Sequence, residues 1–210
     1  MKLLTPTEAK VLLLLFKEFN IDYNANTIAK RLNITRRGAL KIVKHLHKQE
    51  LLINRKYGNA VFYKINLQQE YTKQLLKVLL MNQAKQKASR WLYQYHKFFH
   101  DTTALILFGS IIHNERKAND IDLIIVTSTQ KINQVQELIT SENRIALKPI
   151  HPIWQHPSDL IKNLQKPDPV LLNALKLGYI LHGYDFIIET VHKAQQTYGH
   201  FAVPNPEARL

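Results

Sequence analysis

The sequence predicts an α+β protein of two units joined by a long helix, and three observations carry that reading. The first is segregated charge. The 210 residues hold 29 Lys plus Arg against 16 Asp plus Glu, a net of +13. Residues 1–67 hold 13 basic and 4 acidic side chains and residues 68–101 hold 6 and 2, whereas residues 102–210 hold 10 of each. An evenly solvated surface would not divide in this way. The second is periodicity: the first third shows helical apolar spacing that ends in strand-like alternation. The third is a pair of short, continuous apolar runs in the second half, read as buried strands.

Composition excludes several classes. With 45% hydrophobic and 21% charged residues the chain can bury a core and is not a disordered tail. The lack of cysteine rules out a disulfide scaffold or a thiolate metal site and suits a reducing cytoplasm. The longest apolar run, Val11 to Phe16, is far short of a membrane span and leads into Lys17 and Glu18 rather than a cleavage site. The expectation is therefore a cytoplasmic protein with no membrane partner. A pI near 9.8 points to polyanions such as nucleic acid.

The first unit, residues 1–67, opens on Thr5-Pro6-Thr7-Glu8, a helix start with a hydroxyl cap and proline in the first turn. Val11, Leu12, Leu15, Phe16 and Phe19 follow at helical spacing. Asn26 is placed to cap a short helix over 27–32, Asn33-Ile34 to turn, and Thr35 to cap a longer helix reaching about Gln49. Ala39, Ile42, Val43 and Leu46 make its apolar face, leaving Arg36, Arg37, Lys41, Lys44 and His45 outward. Leu51–Arg55 and the alternating Ala60–Ile65 flank Lys56-Tyr57-Gly58-Asn59, a hairpin signal.

Helix, short helix, turn, basic helix and hairpin together resemble the winged helix-turn-helix DNA-binding domains of bacterial and archaeal regulators. The resemblance implies double-stranded DNA as partner. It puts Thr35, Arg36, Arg37, Lys41 and Lys44 on the helix that enters the major groove, and Arg55 and Lys56 on the wing. Arginine at such a helix start can offer two donors to guanine, whereas lysines mostly neutralise phosphate. A winged helix that only docks protein, its basic face merely solvated, is the competing reading.

Residues 68–101 form the connector. Asn66 with Gln69 reads as a capping box. Tyr71, Leu75, Val78 and Leu79 run on through Ala84, Ala88, Trp91, Tyr95, Phe98 and Phe99, so one long helix or two abutting ones both fit. Such a connector suits a homodimer interface, while its aromatic half is expected to pack on the second unit. His96 and His100 have a spacing able to hold a metal, but no carboxylate or cysteine completes a set.

In residues 102–194, Ala104–Phe108 is a buried strand ended by Gly109-Ser110, and Asp120-Ile121-Asp122 opens the next strand. Side chains alternate along a strand, so Asp120 and Asp122 project from one face. Two carboxylates beside four aliphatics would be costly if left unpaired in a core. With the backbone N–H groups of a Gly-Ser turn nearby, they suit a magnesium-bridged triphosphate.

Phe108-Gly109-Ser110 and Asn119-Asp120-Ile121-Asp122-Leu123 resemble the signature of the polymerase-beta-like nucleotidyltransferase superfamily, most closely its minimal and kanamycin-type members. The resemblance implies a mixed sheet with helices on one side and transfer of a nucleoside monophosphate from an NTP to a hydroxyl. It assigns Gly109 and Ser110 to nucleotide binding, and Asp120 and Asp122 to catalysis through a divalent metal, Mg2+ or Mn2+. The family pattern also asks for a third carboxylate on a later strand. The candidate, Arg144–Ile153, has no acid; Glu142 precedes it, Asp159 follows it, and His151 on it could serve as a base. Where relatives carry arginines after Gly-Ser, this chain has Ile111, Ile112 and His113. Leu177–Gly183 resembles a region that small members carry after the sheet, and equally a helix end with a glycine stop. Residues 195–210 read as a flexible tail.

Two functional readings stay open. One is a DNA-binding protein whose second unit binds NTP with magnesium and transfers a nucleotide to an unknown acceptor. The other is a catalytically inert transcriptional regulator whose second unit senses nucleotide or binds a toxin-like protein partner. RNA in place of DNA is a weaker variant, because phosphate contacts do not distinguish the two polymers.

Overall fold

The computed structural model describes residues 4–199. The chain divides into two compact units, Met1–Leu76 with Val191–Leu210, and Lys77–Thr190. Composition shifts put boundaries at 67, 101 and 194; the contacts put them elsewhere, because composition tracks surface charge and not chain packing.

The first unit contains α1 (Pro6–Lys17), β1 (Tyr23–Asn24), α2 (Ala25–Leu32), α3 (Arg36–Lys48), β2 (Leu52–Tyr57) and β3 (Ala60–Ile65). Thr5 and Glu8 close a reciprocal cap on α1: Thr5 Oγ1 accepts from the Glu8 N–H at 3.3 Å, and Glu8 Oε2 accepts from the Thr5 N–H at 2.8 Å. The predicted stripe Val11, Leu12, Leu15, Phe16 and Phe19 is buried, together with Ala39, Val43 and Leu46 of α3. Asn24, not Asn26, caps α2: its Oδ1 accepts from the N–H groups of Asn26 and Thr27 at 2.9 and 3.0 Å. The reason is tertiary. Tyr23 and Asn24 pair with Tyr63 and Phe62 of β3, and that extended backbone is what a cap position requires.

Asn33, with φ of 52°, reverses the chain after α2, and Thr35 caps α3 by accepting from the Gly38 N–H at 3.1 Å. The hairpin β2–β3 turns at Gly58, φ 56°, and the antiparallel sheet runs β1-β3-β2. Helix, turn, helix and hairpin thus take the arrangement of a winged helix-turn-helix. A polar network ties its parts: Glu18 accepts Arg31 Nε and Nη2 at 2.9 and 2.7 Å and the Tyr23 hydroxyl at 2.8 Å. Burial and the Glu18 carboxylate push the Tyr23 phenol up to about 12.

Gln195 and Tyr198 belong here too. Gln195 Nε2 donates to the Ile65 carbonyl at 3.1 Å, Lys64 Nζ donates to the Tyr198 carbonyl at 3.0 Å, and the Tyr198 ring meets Phe19 edge-on at 5.5 Å. Gln195 to Gly199, the start of the expected tail, therefore includes structured positions; residues 200–210 lie outside the described residues.

The connector is two helices, α4 (Glu70–Lys87) and α5 (Ser89–Gln94), broken at Ala88 with φ of −139°. The Asn66–Gln69 capping box does not form at the start of α4: Gln69 precedes the helix and its carbonyl accepts from the Lys73 N–H at 3.2 Å, but neither side chain closes the turn. Both bind Glu50 instead, Asn66 Nδ2 to its carbonyl at 2.8 Å and Gln69 Nε2 to its carboxylate at 2.6 Å. The buried stripe is Thr72, Leu76, Leu80, Ala84 and Ala88, whereas Tyr71 and Val78 are half-exposed at 53% and 54%. Apolar residues occupy more than one side of α4, so its sequence alone does not single out the inward face.

The second unit adds β4 (Ala104–Phe108), β5 (Ile121–Val126), α6 (Ile132–Asn143), β6 (Ile150–Gln155), α7 (Pro157–Gln165), α8 (Pro169–Leu177), β7 (Tyr179–His182) and α9 (Tyr184–Gln195), the last continuing into the first unit. Its sheet runs β6-β5-β4-β7, with β5 and β6 parallel and the other pairs antiparallel. On one face Leu105, Leu107, Leu123 and Ile125 pack with Trp91, Tyr95, Phe98, Val135 and Ile139, as expected of the aromatic half of the connector. The expectation of helices on one side only fails. The alternate residues Ile106, Ile124 and Val126 are buried as well, and α8 lies against β4 and β7, so the central strands are covered on both faces. Leu177-Gly178 ends α8 and leads directly into β7, which pairs with β4.

Candidate functional site

Sheet register assembles the acidic site. Asp122 stands opposite Phe108 on β4 and opposite His151 on β6. Asp120 precedes β5 by one residue and reaches the same side, so that ligand-capable atoms of Asp120, Asp122 and His151 all lie within 4.8 Å of one another. His151 Nδ1 is 3.1 Å from Asp122 Oδ1; the Asp122 side chain is 19% exposed and that of His151 64%. The candidate later strand is shorter than the sequence suggests. It begins at Ile150, with 144–149 forming the loop before it, and Pro152 is tolerated because β6 is an edge strand.

Gly109 has φ of 79°, and a Cβ there would fall 1.9 Å from Asp122 Oδ2. Its demonstrable role is thus steric: the backbone passes over the carboxylate where no side chain fits. Ser110 is exposed and opens a short 3-10 turn, Ser110–Ile112, from which Ile111 enters the core. That burial explains why an apolar residue follows Gly-Ser. Positive charge reaches this end of the sheet from elsewhere. Arg116 and Lys148, with His113, Asn114 and Glu115, line a depression of about 690 Å³. Lys148 Nζ donates to the carbonyl of Ala118, two residues before Asp120, and Arg90 pairs with Glu115. Sequence reasoning missed Arg116 and Lys148, because one lies six residues beyond Ser110 and the other in a loop whose position only the β5–β6 pairing defines.

Two carboxylates and an imidazole fit a divalent cation that completes its shell with water or phosphate oxygens. Among the described residues neither aspartate is ion-paired with a lysine or arginine, and the one ring nitrogen within reach of Asp122 is that of His151.

The second candidate site is the basic face of the first unit. Thr35, Arg36, Arg37, Lys41, Lys44, Arg55 and Lys56 are all exposed. Among the described residues Arg36, Arg37, Lys41 and Lys44 make no ion pair, whereas His45, next on the helix, holds Glu8 Oε1 at 2.6 Å. Arg36, Leu40 and Lys44 line one wall of a groove of about 320 Å³, with Asn59, Ala60 and Val61 of the hairpin and Asn24 to Asn26 as its other walls. Arg37 and Lys41, one helical turn apart, lie on the adjoining exposed face.

No family model matches the chain, and no curated protein matches it. Among solved structures it is similar in part to the adhesin competence repressor AdcR from Streptococcus pyogenes, with 18% identity over 66% of this chain and 78% of that one at a TM-score of 0.35. It is also similar in part to a mutant of ZitR from Lactococcus lactis, with 23% identity over 47% of this chain and 62% of that one at a TM-score of 0.31. Likeness at this level defines neither a fold nor an activity. No helix among the described residues is long and apolar enough to cross a membrane.

Proposed function

We propose that the chain is a cytoplasmic DNA-binding regulator whose second unit is a nucleotide site of the nucleotidyltransferase type. The observation that carries the DNA reading is the set of four cations on α3, exposed beside the hairpin and, among the described residues, without carboxylate partners. A solvated surface helix would ordinarily intersperse acids; α3 has none. Duplex DNA binding followed by fluorescence anisotropy across a salt series tests it. Affinity should fall steeply with salt, and Lys41→Ala with Lys44→Ala should lower the slope by about 2, close to one per phosphate contact. A salt-independent or absent interaction removes the reading.

The nucleotide reading rests on the convergence of Asp120 and Asp122 beside the Gly109 turn. In it, Asp120 and Asp122 hold Mg2+ or Mn2+, the backbone at Gly109 and Ser110 approaches an NTP, and Arg116 and Lys148 balance its charge. When bound, such an ion neutralises charge on the phosphates of the NTP. Labelled NTP, magnesium and cell extract, compared with an Asp120→Ala/Asp122→Ala variant, test transfer; equal labelling sinks it. One observation favours the alternative of an inert regulator that senses nucleotide or binds a protein partner: β6 offers an imidazole where the family pattern asks for a carboxylate. Calorimetry with NTP, then mobility shift with and without nucleotide, separates sensor from enzyme. The half-exposed Tyr71, Val78 and Met81 of α4 are the surface we assign to a homodimer, testable by light scattering of a Val78→Glu variant.

A further inference from the structure

We propose that the Asp120–Asp122–His151 cluster selects a first-row transition dication such as Mn2+ or Zn2+ over Mg2+, with His151 as its third protein ligand. The inference deepens the reading of this cluster as the metal site of the second unit, and names the class of ion it takes.

Three features support it. His151 is placed by backbone pairing: it sits opposite Asp122 in the parallel β5–β6 register, so its Cα is fixed by the sheet and not by a loop. Its ring turns toward the acids, Nδ1 at 3.1 Å from Asp122 Oδ1, and Asp120 offers an oxygen to the same 4.8 Å cluster. A surface His–Asp pair would not require Asp120 at all and would contribute little. Finally, two converging carboxylates with no lysine or arginine partner among the described residues are a repulsive arrangement that a dication between them would relieve.

Ligand chemistry then decides the ion. Mg2+ prefers six oxygens near ideal octahedral geometry and keeps much of its water. Replacing one oxygen donor by imidazole weakens its case and favours the later first-row ions, whose affinity for nitrogen donors rises from Mn2+ toward Cu2+. A third carboxylate on β6 would leave the site all-oxygen; His151 makes it mixed.

The test uses the full chain after chelator treatment. Mn2+ binding is read by the loss of its free paramagnetic signal, with Mg2+ as competitor, and Co2+ is read by its visible absorption. Displacing half of the bound Mn2+ should require at least about tenfold excess Mg2+, and His151→Ala should erase most of that preference and alter the Co2+ spectrum. His151→Asp, an all-oxygen site, should bind both ions alike. Asp122→Asn should lose both, with circular dichroism confirming that it folds. His96→Ala/His100→Ala should retain wild-type selectivity. An unchanged Mn2+ to Mg2+ ratio in His151→Ala, or loss of binding in the His96/His100 variant, overturns the proposal. A His151-dependent preference for Mn2+ over Mg2+ without nucleotide affinity upholds it while sinking the transferase reading; Mg2+–NTP binding indifferent to His151 does the reverse.

Discussion

The basic face of α3 and the acidic cluster of the second unit are built by opposite means. Arg36, Arg37, Lys41 and Lys44 belong to one helix, and their outward direction follows from its buried residues Ala39, Val43 and Leu46. The acidic cluster gathers its parts from three separated segments: the turn at Gly109, the start of β5 and the second residue of β6. The first site is encoded by local period and capping. The second is encoded by sheet register, which no short segment contains. Damage to the two sites should therefore look different: graded on the helix, and nearly all-or-none where a packing contact holds the cluster.

The sharpest way to break this contrast is Gly109→Ala. A Cβ at φ of 79° and 1.9 Å from Asp122 Oδ2 must displace the carboxylate. We expect loss of metal binding by the Mn2+ signal, with a stability cost on the order of 1–3 kcal/mol in urea denaturation. Retained Mn2+ affinity would mean that the carboxylate position is not enforced by the turn. Next in size is the helix face: Arg36→Ala/Arg37→Ala should weaken DNA affinity about tenfold or more, while each single variant loses a fraction. Full loss from one substitution would contradict the graded picture.

A smaller effect concerns Lys17, also fixed by its place on a helix. Buried in α1, its ammonium is pushed down to about 8 from 10.5. The native state therefore releases this proton first. Lys17 lowers stability below about pH 8, and stability is regained as pH rises from there toward 10.5, where the unfolded chain still holds the proton. Lys17→Met should raise stability at pH 7 by on the order of 2 kcal/mol and flatten that alkaline rise, measured by denaturation at several pH values. The smallest is the α2 cap: Asn24→Ala should cost about 1 kcal/mol and Asn26→Ala much less. Equal costs would show that the β1 pairing does not decide the cap.

Much of the first unit was legible from its residues, for a physical reason. Thr5, Thr35 and Gly58, and Glu8 in its capping role, act within a few positions of themselves, and the stripe from Val11 to Phe19 has one apolar side. The errors fall where distant partners intervene. Asn24 displaced Asn26 because β3 straightens the backbone at Tyr23, and Asn66 and Gln69 turn to Glu50 instead of closing the start of α4. In the second unit the Asp-x-Asp alternation was readable, since it is a property of one strand. His151 stands out in the sequence as a candidate base on the later strand, but its place opposite Asp122 was not readable, because the offset between β5 and β6 depends on α6 and the loop that joins them.

The contacts made by Gln195 and Tyr198 carry a consequence for how the molecule is born. A ribosome releases the helices and hairpin of the first unit early, but the side chain that bonds Ile65 and the carbonyl that receives Lys64 emerge more than a hundred residues later. The first unit thus waits, incomplete, through the whole synthesis of the second, and closes only once residues 195–198 have emerged. A nascent chain stalled with residue 190 just emerged should present a more protease-sensitive first unit than one with residues 195–198 also emerged, although every residue of its helix-turn-helix has already been made.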